Sequence, residues 1–148
     1  MRFSVQAQYA ICGVFDLAYN GQGEPVPVQT IGERQGIPAR YLEQIFQRLR
    51  RARLVTGKRG PGGGYVLARD PASITLRDVV EAVEGPAERW LALEAGAPSS
   101  VPYRPAFLWP RLADRFAEVL AATTFADLCR EAPRAAVRRA EVELTYVI

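Results

Sequence analysis

Ile37-Pro38-Ala39-Arg40-Tyr41-Leu42-Glu43-Gln44-Ile45-Phe46-Gln47-Arg48-Leu49-Arg50-Arg51, followed after Leu54-Val55 by Thr56-Gly57-Lys58-Arg59-Gly60-Pro61-Gly62-Gly63-Gly64-Tyr65-Val66-Leu67, carries the architecture of this 148-residue chain. In the first stretch Tyr41, Leu42, Ile45, Phe46 and Leu49 recur at three- and four-residue steps, which on a helix puts them in one buried stripe. Arg40, Glu43, Gln44, Gln47, Arg48 and Arg51 fall on the opposite face. Pro38 suits the first helical position, where its missing N–H leaves no bond unmade. In the second stretch two strand-like runs flank a basic, glycine-rich tip, the pattern of a β-hairpin with a flexible end poor in side chains.

Upstream, Ser4 is placed to cap a helix that carries Ala10, Val14, Leu17 and Ala18 at helical spacing and stops at Asn20-Gly21. Val28 to Gln35 reads as a short second helix ended by Gly36. Two helices joined by a tight glycine turn, the second with long polar side chains outward, form the pattern of a helix-turn-helix, and the hairpin is then its wing.

Downstream, Thr75 and Asp78 resemble a capping box that opens a helix through Val79, Val80 and Val83 to Glu84, before Gly85-Pro86 breaks it. Residues 87–106, with Pro98, Pro102 and Pro105, read mostly as loop, with a helical turn allowed over Glu88 to Glu94. Trp109, Leu112, Phe116, Val119 and Leu120 make one apolar stripe of a helix from Trp109 to Ala122, with Pro110 tolerated in its first turn. Thr124 is placed to cap a last short helix to Glu131, and the alternation Val142-Glu143-Leu144-Thr145-Tyr146-Val147 is left open between strand and disorder. The expected fold is mainly α with a small β-hairpin, a winged helix-turn-helix plus a long C-terminal helix in one compact domain. Its segments are residues 1–85, a divergent loop at 86–106, the long and last helices at 107–133, and a tail at 134–148.

Hydrophobic residues at 49% with 24% charged are globular usage. No signal-peptide pattern opens the chain, and no apolar run approaches the roughly eighteen residues of a membrane span. Cys12 and Cys129 lie far apart, without metal-type spacing or a disulfide framework, so a reducing cytoplasm is expected and both read as small buried hydrophobes. The net charge of +3 is lopsided: Arg34, Arg40, Arg48, Arg50, Arg51, Arg53, Lys58 and Arg59 belong to a total of 19 basic residues, and only Glu43 opposes them within that stretch. Such a cluster is how a phosphate-binding surface appears in sequence.

Catalysis is not expected. The chain has no histidine, no serine or cysteine with a recognisable base partner, and carboxylates mainly on polar helix faces. Gly60-Pro61-Gly62 is not a nucleotide loop either, because it leaves a helix and enters a strand, the reverse of the order that aims amides at phosphate.

Tyr9-Ala10, Glu33-Arg34-Gln35-Gly36-Ile37, Tyr41-Leu42-Glu43-Gln44, Leu49-Arg50 and Arg59-Gly60-Pro61-Gly62-Gly63-Gly64-Tyr65 together resemble the bacterial Rrf-two family of transcription regulators. The resemblance runs without a gap from Met1 to Gly85 and more loosely through the long helix to Ala126-Asp127-Leu128. It implies a homodimer that reads a roughly palindromic operator in double-stranded DNA, with the stripe Trp109, Leu112, Phe116, Val119 and Leu120 packing across the two-fold axis. Many members hold an iron–sulfur cluster through cysteines in the loop before that helix. Residues 85–107 contain no cysteine here, so no cofactor is expected.

On that footing Glu43 is the candidate to accept from cytosine N4 in the major groove. Tyr41 and Gln44 are candidates for bases or backbone, and Arg40 for phosphate. Arg59 has the geometry to enter a narrow minor groove, with Lys58 beside it and Gly60 onward allowing close backbone approach. Arg48, Arg50, Arg51 and Arg53 would add sequence-independent attraction. Trp90, Tyr103, Arg104 and Trp109 are the candidate pocket for a small-molecule effector, or a docking surface for a protein one. The alternative to a DNA-binding regulator, of repressor type, is a protein-interaction module of the same fold.

Overall fold

The computed structural model describes residues 4–94 and 102–141. Helix α1 spans Val5–Asn20, and Ser4 caps it by accepting from the Ala7 amide at 3.0 Å. Its Ala7, Ala10, Val14 and Leu17 are buried. Helix α2, Val28–Gln35, ends at Gly36, whose φ of 67° is left-handed. Helix α3 spans Ala39–Arg51 with Pro38 as its cap, one residue outside the expected position, because Pro38 is still extended (ψ 128°) while its carbonyl already accepts from Tyr41. Leu42, Ile45, Phe46 and Leu49 form the buried stripe as expected. Tyr41 does not: it is 44% exposed.

Strands β1, Val55–Lys58, and β2, Gly64–Leu67, pair antiparallel with Val55 opposite Leu67 and Lys58 opposite Gly64. Val26 extends this ribbon, exchanging both backbone bonds with Tyr65 at 3.0 and 2.9 Å. The Tyr65 ring meets Phe46 at 4.9 Å, so the wing is anchored on the helix before it. Gly64 is explained by this packing and not by flexibility. A Cβ there would lie 2.3 Å from the Val26 carbonyl carbon, and its φ is 147°. The freer part of the tip is Gly60, at φ 92° with nothing within 4 Å.

Helices α4, Leu76–Glu84, and α7, Phe125–Glu131, start side by side. Thr75 and Thr124 each build a full capping box, with Asp78 and Asp127 respectively. The two caps form a β-bridge in which Leu76 donates to Thr123 at 2.9 Å and Phe125 to Ile74 at 3.0 Å. Each box stabilises its helix by about 1 kcal/mol. The bridge also delivers Phe125, fully buried, into the cluster of Val14, Ile31, Phe46 and Val79.

Within the stretch read mostly as loop, the helical turn allowed over Glu88 to Glu94 forms as helix α5, Ala87–Glu94. Three contacts from the preceding chain hold it. Glu81 accepts from the Ala87 amide at 3.1 Å, Arg77 donates to Glu88 at 2.7 Å, and the Trp90 indole N–H donates to the Gly85 carbonyl at 3.1 Å. Helix α6 spans Leu108–Ala122 with Pro110 in its first turn. Leu120, expected with the dimerisation stripe, is only 2% exposed and belongs to the core of the single chain, where α6 packs on α4.

After α7 the chain returns to the end of α1, where Tyr19 donates to the Val137 carbonyl at 3.3 Å and Asn20 accepts from Ala140 at 2.8 Å. The alternating stretch 142–147 lies outside the described residues. Among the described residues no helix is long and apolar enough to cross a membrane.

Candidate nucleic-acid interface

A helix with one buried stripe must turn the rest of its circumference outward. At roughly 100° per residue, Arg40, Gln44, Gln47 and Arg51 fall within about 60° of one another at the centre of the outward face of α3, and all four are exposed. Glu43 and Arg50, also exposed, stand on one flank. Tyr41 and Arg48 stand on the other, towards α1.

Gln47 was given no role from sequence, although its central place on this face follows from the same periodicity that named its neighbours. A glutamine there has the acceptor and the donor that complement adenine's N6 amino group and N7 in the major groove. Tyr41 is held upright by its neighbours. The Arg40 guanidinium lies 4.9 Å from its ring centroid and donates to its hydroxyl at 3.2 Å, and Tyr9 of α1 approaches from behind at 6.3 Å. Such support reduces the rotamer entropy that a contact residue would lose on binding. Tyr9 was not foreseen, because nothing in the sequence places it beside α3.

The wing continues from the end of α3. Lys58, Arg59 and Gly60 are all exposed at or beside its tip, and no ion pair involving Lys58 or Arg59 is recorded among the described residues. Arg50, Arg51 and Arg53 are exposed as well.

Two members of the basic cluster, both exposed, have partners within the chain. Arg34 faces Asp16 of α1: its Nε donates to Oδ2 at 3.1 Å and its Nη2 to Oδ1. Its charge therefore balances a buried carboxylate, although the side chain keeps 27% of its surface in water, which qualifies the cluster as counted along the chain. Arg48 donates through one nitrogen to Gln6 at 2.9 Å and to the Val83 carbonyl at 3.4 Å. Tyr41, Gln44 and Arg48 also wall a cleft of about 320 Å³ closed on its other side by Gln6 and Tyr9.

The aromatic and cationic residues expected to gather around the divergent segment sit in different surroundings. Tyr103 is 95% exposed, Arg104 is exposed, and Trp90 is tied to Gly85 with its ring edge-on to Phe116 at 6.2 Å. Trp109 stands instead on α6, 47% exposed, with Leu112 at 48% and Val119 at 59%. Phe116 is half-buried between this surface and Trp90. Among the described residues, the apolar outer face of α6 is thus uncovered.

Comparison with known proteins agrees with this fold. The model of the family described as "Iron-dependent Transcriptional regulator" (Rrf2) matches residues 3–131. The HTH-type transcriptional regulator IscR of Escherichia coli (strain K12 / DH10B) is 48% identical over 84 residues, a match covering 57% of this chain and 52%, about half, of that relative's length. Among solved structures, CymR (YrzC), the global cysteine regulator of B. subtilis, superposes with a TM-score of 0.73 at 33% identity over 88% of this chain and 97% of that one. T. potens IscR does so with a TM-score of 0.74 at 33% identity over 99% and 97%.

Proposed function

This chain belongs to the Rrf2 family of transcriptional regulators, and we propose that it works in the cytoplasm as a homodimeric, sequence-specific DNA-binding repressor of a palindromic operator. The observation that carries this reading is the exposed row Arg40, Gln44, Gln47 and Arg51 on a helix anchored through Phe46 and Tyr65 to an arginine-tipped wing. The row supplies groups that read base edges in the major groove, and Arg59 supplies the cation for the minor groove. Glu43, on the flank, adds a carboxylate that selects cytosine N4 and repels misplaced phosphate.

The two-fold partner is seated on α6, where Trp109, Leu112 and Val119 leave apolar surface in water. Burying such a stripe against its own copy favours association by about 25 cal/mol per Å² of apolar area. Two reading helices then face one side of the duplex, and an occupied operator is closed to the transcription machinery.

The family description names iron, and the donors of this chain do not fit an iron site. Residues 85–107 contain neither cysteine nor histidine. Among the described residues no group of three or more His, Cys, Asp or Glu is placed to hold an ion. Cys12 and Cys129, expected to be buried, are only half-buried, and that partial burial pushes their thiols above the ordinary cysteine range, opposite to what thiolate ligation needs. The regulator we propose works without a cluster.

Selection of bound fragments from genomic DNA tests the reading. A two-fold symmetric motif, its half-sites about one helical turn apart, is the expected product. Recovery of no motif, or a protein monomeric at micromolar concentration, would overturn it, and stoichiometric iron and sulfide in the purified protein would overturn the cluster-free part.

A further inference from the structure

Arg48 stands in the last turn of α3, roughly 70° around the helix from the centre of the outward face. Its Nη1 donates to the Gln6 side chain, in the first turn of α1, at 2.9 Å and to the Val83 carbonyl, in the last turn of α4, at 3.4 Å. The second acceptor is available for a physical reason. A carbonyl in the last turn of a helix lacks its amide partner. The Ala87 amide, four residues on from Val83, is taken by the Glu81 carboxylate at 3.1 Å. The negative end of the α4 dipole favours a cation at the same place.

Ser4 bonds to Glu84 alongside, so the start of α1, the end of α3 and the end of α4 meet around one guanidinium. From there the chain passes through Gly85 and Pro86 into α5, whose Trp90 abuts α6. Arg48 therefore ties the reading helix to the joint that leads to the helix assigned above to dimerisation.

We propose that Arg48 is a positioning residue that sets α3 against the ends of α1 and α4, and is not a phosphate ligand. The inference rests on the DNA-binding reading above. A phosphate ligand and a positioning strut differ in what they do to salt dependence, since each lost phosphate contact lowers the slope of log affinity against log salt by roughly 0.9.

The test measures binding of the full chain to its selected operator and to random duplex across a salt series, for wild type, Arg48→Ala, Gln6→Ala and the double variant. Arg48→Ala is expected to weaken operator binding roughly tenfold at every salt concentration, giving a parallel line, with affinity for random DNA unchanged. Gln6→Ala is expected to act in the same direction and to add little in the double variant. A fall in slope near 1.8 per dimer, with equal loss on random DNA, would make Arg48 a phosphate ligand and overturn the proposal. If Arg48→Ala fails to fold, as judged by circular dichroism, Gln6→Ala carries the test alone, and full operator affinity in that variant would overturn it. Wild type that prefers no sequence would instead sink the DNA-binding reading, and this inference with it.

Discussion

The carboxylate of Asp16, with no exposed surface, is gripped by the Arg34 guanidinium, which joins α1 to α2 through two bonds from Nε and Nη2. Gln35 adds a bond at 3.0 Å and Asn20 one at 3.2 Å, so the charge is both paired and fully hydrogen-bonded, the condition for a buried ion to be tolerated. Asn20 also accepts from Ala140, which brings the returning tail into the same network.

Removing the cation from this network leaves a buried charge uncompensated. Arg34→Ala should lose about 3 kcal/mol of unfolding free energy in urea while leaving the salt slope of DNA binding unchanged. A variant of full stability with a shallower slope would show that Arg34 serves phosphate after all.

Glu43 and Arg59 should separate in a binding matrix of operator variants. Glu43→Ala should erase about 1–3 kcal/mol of preference at one base pair per half-site and leave the remaining positions unchanged. Arg59→Ala should weaken every variant together. Uniform losses for both substitutions would contradict the division between reading and anchoring.

The α6 surface offers a contrast within one helix. Leu112, 48% exposed, and Val119, 59% exposed, should tolerate Leu112→Glu and Val119→Glu in the fold while shifting sedimentation from dimer to monomer. Leu120→Glu, at a position only 2% exposed, should unfold the chain instead. Dimers surviving both outer substitutions would place the two-fold contact elsewhere.

Gly64→Ala should destabilise the wing strongly, because the added Cβ meets the backbone of Val26 and the residue sits at φ 147°. Thermal unfolding should show a Tm lowered by several degrees. An unchanged Tm would mean that the Val26 to Tyr65 pairing does not persist in solution.

Burial raises the Cys12 and Cys129 thiols, so both should be protonated at neutral pH and alkylate slowly with iodoacetamide in the native protein. Because the folded-state pKa lies above the unfolded one, the stabilising contribution is complete below the unfolded thiol pKa and declines as pH rises through the folded value. Stability that rises from pH 8 to pH 10 would contradict the shift.

Sequence alone determined what depends on neighbours within a turn or two: the Ser4, Thr75 and Thr124 caps, the Gly36 stop, the Leu42 to Leu49 stripe, and the glycine hairpin. Each of these is a local agreement between residue chemistry and backbone geometry, so it can be read without knowing what lies across the core. The outward face of α3 was legible for the same reason, being the complement of its apolar stripe.

Tertiary structure decided what needs a partner brought from elsewhere in the chain. The helical turn allowed over residues 88–94 becomes a full helix held by Arg77 and Glu81 of α4 and by the Gly85 carbonyl that follows it. Arg34 and Arg48, though exposed, are paired within the chain because Asp16, Gln6 and Val83 reach them from other helices. Leu120 turns inward while Leu112 stays out because α6 lies against α4 on one side only. Gly64 is demanded by a backbone that arrives from Val26. Periodicity counts positions along one element, and it cannot say which distant group will be waiting at each of them.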